Sequence, residues 1–75
     1  MNTLDELLPG ETGKIISVGG SGALRHRLLD MGLTPKTIIK VERMAPMGDP
    51  MELFLRGYRL TIRKEDAHKI EVEKQ

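Results

Sequence analysis

Two histidines and a carboxylate are the residues most able to bind something. His26 and Asp30 lie four apart, a spacing that puts both on one side of a helix, and His68 is the second of the chain's two imidazoles. With no cysteine, these three fall short of a tetrahedral structural zinc site. An O/N site for Fe²⁺ or Zn²⁺ would need carboxylates from elsewhere or from a second copy. Met31, Met44, Met47 and Met51 invite a soft-metal reading, but Met31 and Met51 sit at core phases and only Met47 looks free. Catalysis has less support. Serine occurs only at Ser17 and Ser21, with no base that spacing identifies, and Glu65-Asp66 are adjacent carboxylates that do not face one another. The residues point to no active site.

Phosphate chemistry is the next candidate. "GGSGALRHRLLDMGLTP", residues 19–35, runs a glycine-rich break into a basic segment. It lacks the Gly-Lys-Ser/Thr triplet of a Walker loop, and Arg25 stands where a dinucleotide fingerprint needs its third glycine. A strand-to-helix connection is the better account. Within it, Leu24, Leu28 and Met31 form an apolar stripe, and Arg25, His26 and Arg27 flank it. Arginine is enriched at interface hot spots, so the helix offers a docking surface. The segment "APMGDP", residues 45–50, can add Pro46 and Met47 as an apolar anchor. The candidate partner-binding set is therefore Leu24, Arg25, Arg27, Pro46 and Met47.

The elements that must carry these residues follow from local pattern. "TLDE" (3–6) matches a capping box ahead of a short turn, with Leu4, Leu7 and Leu8 set to plug an open end of the core. "TGKIISV" (12–18) is β-branched and predicts a strand. A helix of about ten residues then starts near Ala23 and ends at Gly32, with Leu33 folding back on Leu28 and Pro35 as a stop. "TIIKVERM", "MELFL" and "YRLTI" alternate as strands, the last placing Tyr58, Leu60 and Ile62 on one face. Arg56-Gly57 predicts a tight hairpin turn, "KEDA" a single helical turn, and "KIEVE" a closing strand. About five short antiparallel strands with one helix after the first strand predict a mainly β, closed or nearly closed small barrel.

Composition limits the rest. A 75-residue chain supports one domain (residues 1–75) with a modest core. A formal net charge of +1 and only Phe54 and Tyr58 as aromatics argue against nucleic-acid binding. No apolar run approaches the roughly 20 residues of a membrane span, so direct insertion is not expected and a cytoplasmic location is. Asp5 and Glu6 stand where a signal peptide would be basic.

Taken together, "LPGETGKI" (8–15), "GALRHRLLDMGLTP" (22–35), "APMGDPMELFLRGYRLTIR" (45–63) and "EDAHKIEV" (65–72) resemble the ferrous iron transport protein A (FeoA) family. Lys36 departs from the pattern, since relatives often carry glycine after the proline. The resemblance implies an SH3-like barrel, also found at the C-terminus of iron- and manganese-dependent repressors. It further implies a non-enzymatic accessory of iron uptake that contacts the cytosolic GTPase region of ferrous iron transporter B, at the inner membrane face. The competing expectation is a metal-responsive module that dimerises or changes shape with Fe²⁺ or Zn²⁺.

Overall fold

A computed structural model describes residues 2–75, in which one antiparallel sheet curls around a single apolar core. In chain order the elements are β1 (Asn2–Thr3), a 3-10 turn (Leu4–Glu6), β2 (Thr12–Val18) and α1 (Gly22–Asp30). They continue with β3 (Ile38–Met44), a second 3-10 turn (Pro46–Gly48), β4 (Met51–Leu55), β5 (Tyr58–Ile62), α2 (Lys64–Ala67) and β6 (Ile70–Lys74). The hydrogen-bonding order is β1-β6-β2-β3-β4-β5. All five pairings are antiparallel, as the short strands and tight turns require. The mainly β barrel-like architecture with one substantial helix is as expected. The sixth strand is β1, two residues whose only ladder partner among the described residues is the distant β6, so α1 follows the second strand and not the first.

Alternation along the strands builds the core. Ile15, Ile39, Val41, Met51, Leu53, Leu55, Ile70 and Val72 are buried, while Leu4, Leu7 and Leu28 close it from outside the sheet. Glu6 accepts a hydrogen bond from the Thr3 amide at 2.8 Å, which supplies one arm of the expected capping box. The Thr3 hydroxyl donates to the Asp5 carboxylate. Bulges between Ile15 and Ser17 and between Val41 and Arg43 bend β2 and β3, the kind of kink that lets a small sheet curl.

α1 ends as its sequence dictates. Gly32 takes φ +100°, the Leu33 amide donates to the Leu28 carbonyl at 3.2 Å, and the Gly32 amide donates to Leu29 at 3.0 Å, the two bonds of a Schellman end. Leu33 is fully buried. The following turn carries Lys36 at φ +75°, a left-handed position that suits glycine better than lysine. Beyond it, the Arg56 guanidinium donates to both Thr34 and Thr37 hydroxyls at 2.9 Å, tying the β4–β5 turn to the segment between α1 and β3. That bond satisfies Thr37, which is only 5% exposed.

At the sheet's other side, Lys74 pairs with Glu11 at 2.5 Å. This hydrogen bond, followed by the one from the Leu8 amide, holds the Glu11 carboxyl below its usual range.

Candidate functional site

α1 presents its arginines in opposite directions, because residues two apart on a helix point roughly 200° apart. Arg25 stays exposed but turns toward β2: its Nε donates to the Val18 carbonyl at 3.1 Å, latching the first turn of α1 to the end of that strand. Leu24 is half-buried against the core on the same turn. Arg27 faces the other way, with its guanidinium 3.6 Å from Asp66 on α2.

On Arg27's side the surface is concave. A groove of about 200 Å³ lies between α1 and the end of β5, walled by Arg27, Leu28 and Met31 on one side and Ile62, Arg63 and Asp66 on the other. A second groove, about 370 Å³, lies between the end of β3, the 45–50 segment and β4, where Met44, Ala45, Pro46, Pro50 and the Arg43–Glu52 ion pair line it. Thr61 lines both grooves. Together these adjoining grooves make a recess divided at Thr61, with a helical wall at one end and the 45–50 segment at the other.

Local structure sets that segment's shape. Pro46 opens a short 3-10 turn, Met47 follows with φ +74°, and the Asp49–Pro50 peptide is cis. The Gly48 amide donates to Ala45 at 2.8 Å, and the Ala45 amide donates to Pro50 at 3.0 Å. Asp49 accepts from the Lys64 amide at 2.9 Å, which joins the segment to the start of α2. Met47 is left 98% exposed at the tip, the most solvent-exposed of the large apolar side chains.

The helix–strand gap is spanned at its far end. Tyr58, 40% exposed, directs its hydroxyl to the Met31 carbonyl at the end of α1, instead of joining the core as strand alternation suggests. Leu60 is half-buried and Ile62 buried, so the core character of β5 rises toward α2.

The structure thus divides the residues singled out from sequence. Arg27 and Pro46 line the recess, and Met47 stands at the tip of the segment that borders it. Leu24 and Arg25 brace α1 and line neither groove. The residues that sequence reasoning passed over are Thr61, Arg63 and Asp66. The first two were visible only as the polar half of an alternating strand, and Asp66 as part of an ordinary surface turn.

The three candidate metal ligands are not gathered. His26 and Asp30 are exposed on α1, and His68 Nδ1 lies 3.2 Å from Asp5 Oδ2 on the first 3-10 turn. Among the described residues, no group of three or more His, Asp or Glu side chains is placed to hold a metal ion. The donor set of one chain does not fit a transition metal. No helix among the described residues is long and apolar enough to cross a membrane.

Comparison with known proteins places these features in a family. The FeoA domain profile matches residues 2–74. A fusion of Fe(2+) transport protein A with Fe(2+) transporter FeoB from Porphyromonas gingivalis is 41% identical over 70 residues, covering 93% of this chain but 8% of the fusion. The chain thus spans less than a tenth of that relative. The NMR structure of a FeoA-like protein from Clostridium acetobutylicum superposes with a TM-score of 0.90 at 40% identity, over 97% of this chain and 85% of that one. A FeoA from Stenotrophomonas maltophilia, described as a prokaryotic SH3 domain protein complexed with zinc, shares the fold at 22% identity. Its TM-score is 0.83, with 97% of this chain and 91% of that one covered. A manganese-dependent transcriptional repressor shares it at 12% identity, with a TM-score of 0.89 over 99% of this chain and 41% of the repressor.

Proposed function

Since the chain belongs to the FeoA family, linked to ferrous iron transport through its fused relative, we propose that it is an accessory module docking on the cytosolic GTPase region of a ferrous iron transporter. The observation that carries this reading is the shared position of Thr61. It sets the groove of the helix-borne Arg27 next to that of the loop-borne Pro46, whose neighbour Met47 leaves an apolar side chain in water. A methionine side chain that unconstrained gains from leaving water, and an arginine at the edge of a half-apolar recess is the residue type that interface hot spots favour. Iron is the transporter's cargo in this reading and need not touch the module.

Calorimetry of the chain against the purified cytosolic GTPase region of its transporter tests it. Arg27→Glu and Met47→Asp should each weaken binding at least tenfold, about 1.4 kcal/mol. Arg25→Glu is the contrasting variant, since Arg25 lines neither groove, and should change binding less. No measurable heat with wild-type chain, or equal loss from Arg25→Glu, would remove this surface from consideration.

The zinc complex of the Stenotrophomonas relative favours a second reading, in which metal joins two copies. Here His26, Asp30 or His68 would have to meet donors from another chain. Titration of the metal-free protein with Fe²⁺ and Zn²⁺, followed by sedimentation, separates the readings. Binding tighter than about micromolar, lost on replacing His26 or His68 and accompanied by dimers, would support it.

A further inference from the structure

We infer that the recess takes an extended segment of the transporter's cytosolic region, added as a strand to the open edge of β5 and carrying a carboxylate between two apolar residues. This rests on the docking reading above and specifies what docks.

The argument begins at the β4–β5 turn. Arg56 and Gly57 have φ +49° and +85°, and the pair that closes the turn is Leu55 opposite Tyr58. In a two-residue hairpin the closing pair exchanges both backbone hydrogen bonds, and bonded and non-bonded pairs alternate from there. Leu53–Leu60 and Met51–Ile62 are then the bonded pairs, and Phe54–Arg59 and Glu52–Thr61 the non-bonded ones. The N–H and C=O of Arg59 and Thr61 point away from β4. β5 is the last strand in the order, and among the described residues no backbone group bonds them. Both residues are exposed, which leaves these groups to be satisfied by solvent while the edge is open. A macromolecule that covers the recess must replace that water with its own backbone, because buried, unpaired peptide groups are costly. A helix spends its backbone groups internally, whereas a strand offers them.

Side chains supply the remaining specification. A strand residue placed opposite Thr61 shares the outer face with Arg59 and Arg63, and its two neighbours point to the side of Leu60 and Ile62, where Leu28 and Met31 wall the groove. Arg59 already pairs with Glu42 at 3.4 Å. Arg63 has no ion-pair partner among the described residues. An acidic residue at the central position meets that charge, and an aliphatic neighbour enters the 200 Å³ groove.

Thr61 provides the test, because its N–H faces outward. Thr61→Pro deletes that donor without touching the β4 ladder, a placement that edge strands tolerate. Thr61→Val keeps the donor and the side-chain shape. Against the purified cytosolic region of the transporter, Thr61→Pro should lose at least tenfold in affinity, and Thr61→Val should stay within about twofold. Amide hydrogen exchange of the wild-type chain gives a second measurement that needs no variant: Arg59 and Thr61 should gain at least tenfold protection in the complex. Wild-type binding with no change at these amides overturns the strand and leaves the docking surface standing. No wild-type binding overturns both. A dimer of the chain alone that Thr61→Pro abolishes, with transporter binding unaffected, assigns the edge to a second copy and overturns the proposal.

Discussion

Gly32→Ala should destabilise the protein by about 1–2.5 kcal/mol, from two sources that can be measured apart. The first is conformational: Gly32 has φ +100°, and an L-residue held in left-handed backbone costs roughly 1–2 kcal/mol, less the roughly 0.5–1 kcal/mol of chain entropy that replacing glycine saves. The second is a collision. A Cβ built on Gly32 would overlap the Tyr58 hydroxyl and lie 3.5 Å from Tyr58 Cζ, so the hydroxyl must move and surrender its bond to the Met31 carbonyl. Such a bond is worth about 1 kcal/mol net. Tyr58→Phe removes the obstructing oxygen and should cost about 1 kcal/mol by itself. In the Tyr58→Phe background, Gly32→Ala should then cost only the conformational part, giving a coupling of roughly 1 kcal/mol in a double-mutant cycle. Urea titrations of the four proteins, followed by far-UV circular dichroism, supply the cycle. Strict additivity would show that Tyr58 does not press on the end of α1. A cost below about 0.5 kcal/mol for Gly32→Ala would show that the helix does not end in left-handed backbone at all.

Other perturbations follow from the same geometry. Lys36→Gly relieves backbone at φ +75° and should stabilise by up to about 1 kcal/mol, the left-handed cost less glycine's extra chain entropy; a lower denaturation midpoint would contradict it. Leu28, fully buried between α1 and the sheet, should cost about 2–5 kcal/mol on truncation to alanine, measured by the same titration. Glu11 is held below its ordinary pKa of 4.5 by Lys74 first and the Leu8 amide second. The unfolded chain therefore binds the proton more readily, so this contribution is complete above pH 4.5 and fades as pH falls through the lower folded value. Glu11→Gln should flatten that part of a stability–pH curve, with a small and salt-sensitive effect because the pair is exposed; an unchanged slope would refute the assignment.

Local punctuation carried far in this chain. The end of α1, the Arg56-Gly57 turn and the alternating strands are short-range features, and each appears where neighbouring residues place it. What depended on distant partners was not visible. β1 exists only because β6 offers an edge to Asn2 and Thr3. Tyr58 has the period of a core residue, yet the reach of its hydroxyl to Met31, 27 positions away, keeps it at the surface. Arg25 and Arg27 look equivalent in sequence, but one latches to Val18 and the other faces Asp66. The recess has no linear signature, since residues 27–31, 43–52 and 61–66 meet only once the sheet has curled. His68 likewise finds Asp5 across 63 positions, a pairing that no spacing rule anticipates.

Pairing of β1 with β6 sets Asn2 opposite Val72, so both ends of the folded unit leave from neighbouring strands, at the far end of the strand order from β5. Tethering turns an encounter between two molecules into a search within one, at effective concentrations that reach the millimolar range for short flexible links. A module built this way can work covalently attached through contacts too weak to hold it as a separate chain, where the same contacts must supply all of the affinity.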